Sequence, residues 1–172
     1  MRRLADSGRV RRLAEELGRI APAGTRIYLV GGATAVLEGW RQSTVDVHLC
    51  IEPESEEVMR RIPALKEELE TNIEFATPAD FLPELPGWCE RSRFRFRSGN
   101  VDVFDYDLYS QSLAKIERGF DTDLGDVDAM VGGGLVEPER LRALFEAIEL
   151  DLFRFPAVDA RAFREKLERA LP

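Results

Sequence analysis

Gly31 and Gly32 stand between the β-rich run "RIYLV" and the helical run "ATAVLEGW", and Asp46 and His48 follow in "TVDVHL". Two glycines at the start of a helix let the backbone approach a bound group and turn N–H donors toward it, which suits phosphate. Asp46 and His48, two residues apart on a strand, project from one face and could hold a divalent ion together. Carboxylate oxygen is the hard donor that magnesium prefers, whereas imidazole favours manganese or zinc. An ion held there could bridge triphosphate oxygens and activate an attacking hydroxyl. Lys115 and Arg118, three apart on a later helix, share a face from which a triphosphate could be reached. The competing readings are a tight strand-to-helix turn with no ligand for the glycines and a core or cleft histidine for His48. No G-x-G-x-x-G follows the strand and no G-K-[ST] occurs, so dinucleotide and P-loop sites are poorly supported.

The elements that must position these residues can be read from periodicity. Val10, Leu13, Ala14, Leu17 and Ile20 form one helical stripe over residues 9–20 that Pro22 and Gly24 end. Strand, glycine turn and helix follow to Gly39, and then a strand with Val45, Val47 and Leu49 on one face and Asp46, His48 and Cys50 on the other. Residues 55–71 predict an amphipathic helix that Pro63 interrupts or restarts, and "NIEFAT" predicts another strand. "RSRFRFRSGNVDVFDYDLY" predicts a hairpin turning at Ser98, Gly99 and Asn100. Within it Arg91, Arg93, Arg95 and Arg97 alternate with Ser92, Phe94, Phe96 and Ser98. That predicts an arginine face, solvated or serving as a local phosphate or RNA track, with Phe94 and Phe96 inward. Beyond Ser110 the spacing predicts helices near 110–119, 122–131, 137–149 and 159–170. The expected organisation is an α/β domain over 1–109 and a helical region over 110–172 packed on it. Asp121, Asp123 and Asp126 are read as acids at a helix start capped by Thr122, not as a metal cluster.

Composition narrows the function classes. With 172 residues, 44% hydrophobic and 33% charged, the chain can bury a substantial core. Twenty-four basic against thirty-two acidic residues give a net charge of -8, which disfavours bulk DNA binding and anionic membranes. No apolar run nears the roughly 18 residues that span a bilayer, and Cys50 and Cys89 are not closely spaced. A soluble, cytoplasmic protein is expected.

The stretch from Tyr28 to Leu49 resembles the nucleotidyltransferase superfamily with the DNA polymerase β-like fold, in particular small bacterial proteins related to minimal nucleotidyltransferases and AbiEii-type toxins. The family pattern of strand, glycine pair, helix and Arg-x-x-Thr-x-Asp-x-Asp strand maps onto Gly31, Gly32, Arg41, Thr44, Asp46 and His48. His48 stands where the family has its second metal-binding carboxylate. "FLPELPGWCERS" and "DLYSQSLAKIERGFDTDLGDVDAMV" resemble uncharacterised bacterial members. The resemblance implies a mixed β-sheet flanked by helices and followed by a helical bundle. It also implies a lysine near the phosphates and a third carboxylate from a neighbouring strand. Asp102, Asp105 and Asp107 are the options for that acid, and strand parity puts Asp105 and Asp107 together, apart from Asp102.

The expected activity is transfer of a nucleoside monophosphate from an NTP to a hydroxyl on protein, RNA or a small molecule. Asp46, His48, Asp105 and Asp107 are the expected catalytic residues. Asp46, His48 and Asp105 would hold Mg2+ or Mn2+, and Gly31, Gly32, Arg41, Thr44, Lys115 and Arg118 would bind the nucleotide. Because His48 replaces an acid, the alternative is a catalytically impaired member acting as a nucleotide- or protein-binding module. The resemblance also implies a toxin with a cognate antitoxin or other partner protein.

Overall fold

The computed structural model describes residues 3–172. The fold is of the expected mixed class, with a five-stranded sheet, helices, and a helical C-terminus. The chain forms two units, one running to Thr77 and taking in Ser92–Asp105, the other comprising Pro78–Arg91 and Tyr106–Pro172. The division thus falls after Asp105 rather than 109, and the proline-rich segment from Pro78 belongs with the helical unit.

The first unit is built on the strands β1 (Thr25–Val30), β2 (Asp46–Glu52), β3 (Asn72–Phe75), β4 (Arg93–Ser98) and β5 (Val101–Asp105). Their order is β3-β2-β1-β5-β4. β1 and β2 are antiparallel, as are β4 and β5, while β1 with β5 and β2 with β3 run parallel. One face is apolar through Ile27, Leu29, Val47, Leu49, Ile73 and Val103. Helices α1 (Ser7–Ile20), α2 (Gly32–Glu38) and α3 (Glu56–Glu68) supply Val10, Leu13, Leu17, Ala33, Val58, Ile62 and Leu65 to the same core. Asp6 caps α1 by accepting from the Arg9 amide at 2.9 Å. Pro63 does not break α3 as expected: it lies on the exposed face, so the carbonyl that loses its partner can be solvated. Val45 is not on β2's core face; it precedes the strand and is 65% exposed.

Gly18 and Gly99 allow α1 to meet the β4–β5 turn backbone to backbone. A Cβ on Gly18 would lie 2.1 Å from the Ser98 carbonyl oxygen. The freed space lets the Asn100 amide donate to Gly18 O at 2.9 Å and its side-chain Nδ2 donate to Ala21 O at 3.0 Å, satisfying carbonyls at the end of α1.

A register irregularity between Phe94 and Phe96 overturns the expected alternation of β4. Phe94 pairs with Phe104 and is 58% exposed, whereas Phe96 pairs with Val103 and packs on the core. The extra residue shifts the parity, so the two phenylalanines leave opposite faces. The arginines have carboxylate partners instead of one open face: Arg93 and Arg95 meet Glu38 at 2.9 and 2.6 Å, and Arg97 meets Asp102 at 2.6 Å.

The second unit contains α4 (Trp88–Arg91), α5 (Leu108–Arg118), α6 (Asp121–Gly132), α7 (Pro138–Glu149) and α8 (Ala160–Ala170). Leu113, Ile116, Met130, Leu141, Phe145, Phe163 and Leu167 are buried there, and Phe145 meets Phe163 edge to face with centroids 4.9 Å apart. Thr122 does not cap α6; Phe120 occupies that position. Among the described residues no helix is long and apolar enough to cross a membrane.

Candidate functional site

β1 ends at Val30, which pairs with His48, and the chain then turns through Gly31 into α2. Gly31 has φ 66° and ψ -123°, a conformation that L side chains rarely adopt, and a Cβ there would meet nothing within 4 Å. Gly32 is constrained differently. A Cβ on it would stand 2.1 Å from Thr44 Oγ1, so its bareness accommodates Thr44. Thr44 in turn donates to the Asp46 carbonyl at 3.0 Å and forms a two-way backbone bridge with Ala5. The Arg41 amide donates to Ala35 O at 3.3 Å, holding the exit from α2.

Asp46 and His48 share the β2 face opposite the core, as expected, because Val47, Leu49 and Ile51 alternate with them and are buried. The parallel register of β3 sets Asn72 beside Asp46 and Glu74 beside His48. Four polar side chains therefore form one patch. Asn72 Nδ2 donates to Asp46 Oδ1 at 2.8 Å and to Glu74 Oε1 at 2.6 Å, and His48 Nε2 lies 3.2 Å from Glu74 Oε2. The Asn72 hydrogen bond first, and the His48 contact second, hold the Glu74 carboxyl below its usual range. Glu74 is the acid that sequence reasoning missed. Its signal was present in the alternation of Asn72 and Glu74 with Ile73 in "NIEFAT", but only the parallel pairing with β2 makes it count.

The other expected acids are corrected. Asp105 pairs with Leu29, which also pairs with Leu49, so it lies on the core face and cannot share an ion with Asp46 and His48 across the sheet. It is 0% exposed, and burial pushes its carboxyl up to about 6 against the opposing pull of Arg95. Asp107 is not on the strand. It caps α5, accepting from the amides of Tyr109 and Ser110 and from Ser110 Oγ, and Arg91 grips both its oxygens at 3.0 and 2.8 Å. Its acceptor capacity is taken up by structure. Lys115, 4% exposed, points its ammonium at Asp126 (2.6 Å) and Asp123 (3.4 Å), and Arg118 meets Asp123 at 2.6 Å. These cations are balanced within the helical unit, which removes the basis for assigning them to a triphosphate.

The donors at Asp46, His48 and Glu74 are of the types a divalent ion of the magnesium or manganese kind accepts. Asn72 and His48 now engage the two carboxylates, and among the described residues no three His, Cys, Asp or Glu side chains are gathered as a metal-holding group. Binding an ion would exchange those hydrogen bonds for coordination. No protein-family model, curated protein or solved structure matches the chain.

Proposed function

We propose that the chain is a metal-dependent nucleotidyltransferase of the polymerase β-like kind, moving a nucleoside monophosphate from an NTP to a hydroxyl on protein, RNA or a small molecule. The observation that carries this reading is the placement of Asp46, His48 and Glu74 on one face of two in-register strands, with the open Gly31 turn following the residue that pairs with His48. Asp46 and Glu74 would supply carboxylate oxygens and His48 a nitrogen to Mg2+ or Mn2+. Held there, such an ion would neutralise triphosphate charge and lower the pKa of the attacking hydroxyl. Gly31 leaves room for phosphate oxygens to approach the backbone, and Thr44 and Gly32 fix the turn against β2. The acceptor oxygen bonds the α-phosphorus as the bond to the pyrophosphate oxygen breaks, and the hydroxyl proton passes to a base or to water.

The test is independent of the acceptor. His48 is the sole histidine, so its imidazole Hε1 gives one isolated proton NMR signal. Added Mn2+ should broaden that signal selectively, the effect should weaken in Asp46→Ala and in Glu74→Gln, and labelled NTP should bind in the presence of the ion. No selective broadening and no NTP binding at millimolar concentration would overturn the reading.

The His48–Glu74 contact favours a second reading, a nucleotide- or protein-binding module whose catalytic site has been closed by hydrogen bonds. NTP retention by the wild type without transfer to any acceptor, together with transfer by His48→Asp, would select it.

A further inference from the structure

Asp105 stands apart from the polar patch and is chemically anomalous. It is fully buried, neither carboxylate oxygen has a hydrogen-bond partner of good geometry, and the Thr34 hydroxyl, which donates to Leu29 O at 3.2 Å, is the weakest of the groups that favour its charged form. Its nearest cation, Arg95 Nη1, is 3.4 Å from Oδ2, while the same Nη1 is 2.6 Å from Glu38 Oε1. Arg95 also donates through Nη2 to Leu37 O at 3.0 Å, so one guanidinium joins β4 and the end of α2 to the buried acid. The groups facing Asp105 come from each neighbouring element. They are Thr34 and Glu38 from α2 and Arg93 and Arg95 from β4. β1 contributes Leu29, and α1 packs apolar side chains on this face, with Arg11 over the Phe96 ring at 4.7 Å. Glu38 repels a charge on Asp105, and Arg95 is shared between the two acids. An ionised carboxylate so weakly bonded is costly in such a place, and the cost is relieved if water can reach it.

We propose that Asp105 is a proton-operated latch on α2: neutral, it is tolerated beneath the helix and α2 stays closed; ionised, it draws water and α2 opens, taking the Gly31–Gly32 turn with it. The bearing on phosphate binding rests on the function proposed above; the latch itself does not. The proton goes to and comes from solvent during the opening. Closed and open states differ in their affinity for that proton, so pH shifts their populations by linkage.

Hydrogen exchange read by NMR, without nucleotide or metal, tests this. The reporters are the amides of Ala35, bonded to Gly31 O, and Gly39, bonded to Ala35 O. After correction for intrinsic exchange, their protection should fall about tenfold between roughly pH 5 and 7.5 in the wild type, given a buried carboxyl near 6. The Met59 amide of α3, bonded to Ser55 O, should keep its protection. Asp105→Asn should keep α2 protected at both pH values. The side-chain carboxyl carbon of Asp105, followed in the wild type, gives a reading that needs no variant and should titrate near 6. Constant α2 protection, an equal fall in α3, or a titration midpoint near that of a free aspartate would overturn the latch. Because nothing in the measurement involves NTP, its failure and the failure of the transferase reading are separate results.

Discussion

At the scale of single residues, His48 decides how the polar patch works. Its imidazole brings a nitrogen but no negative charge, and it rests on Glu74. If the site is catalytic, His48→Asp should turn a manganese preference into a magnesium one, because hard oxygen replaces the softer donor. The readout is transfer rate with each ion, and a gain of roughly tenfold with Mg2+ is expected. An equal loss with both ions would show that the imidazole itself is required. Aspartates of one sequence run have three different fates: Asp102 pairs with exposed Arg97, Asp105 is buried, and Asp107 caps a helix. Parity separated Asp102 from Asp105 correctly but extended the strand to Asp107, where the chain had already turned into α5. Capping is a local hydrogen-bond choice, and the Ser110 that completes it gives no periodic signal.

At the scale of elements, two junctions carry testable energetics. The buried Lys115 joins α5 to Asp123 and Asp126 of α6. Lys115→Met should remove the buried cation that Asp123 and Asp126 share and cost about 3–5 kcal/mol in denaturant unfolding. Arg118, whose side chain is 55% exposed, contributes less to the same cluster, so Arg118→Ala should cost about 1 kcal/mol or less. The reverse ranking would show that the cluster is held from its exposed side. In the sheet-bearing unit, Gly18→Ala forces α1 away from Ser98, and a loss of about 2–3 kcal/mol with a matching fall in Tm is expected. Gly125→Ala in the middle of α6, where a Cβ meets nothing within 4 Å, is the control and should be neutral or stabilising. The helices were legible because their apolar stripes repeat over several turns. The Gly18–Gly99 approach was not, since a glycine needed for a long-range contact looks in sequence like any other.

At the scale of the whole molecule, Asp105 contributes a pH dependence of stability opposite in sign to that of Glu68, Glu74, Asp102 and Glu149, whose carboxyls are held low by their partners. The folded Asp105 carboxyl is raised to about 6 from an ordinary 3.8. Its contribution is therefore fully present below about pH 4 and is lost as pH rises through about 6, a change on the order of 3 kcal/mol. Urea unfolding at roughly pH 4.5 and 7.5 should show the wild type losing stability relative to Asp105→Asn across that range; an unchanged difference between the two would contradict it. The mixed architecture was readable from the order of strand and helix patterns, but the site depended on which strands became neighbours. Placing β3 beside β2 brought Glu74 to His48, and placing β5 beside β1 put Asp105 among core residues; neither pairing leaves a mark in a single sequence.

β4 is an outer strand of its sheet, and an outer strand is a row of backbone donors and acceptors onto which a second chain can add. The break between Phe94 and Phe96 interrupts that row, and the arginines on either side resist its burial. The same irregularity that turned Phe94 outward thus guards against the aggregation that an exposed aromatic on a regular edge would invite, so self-association is restrained by backbone geometry as well as by charge.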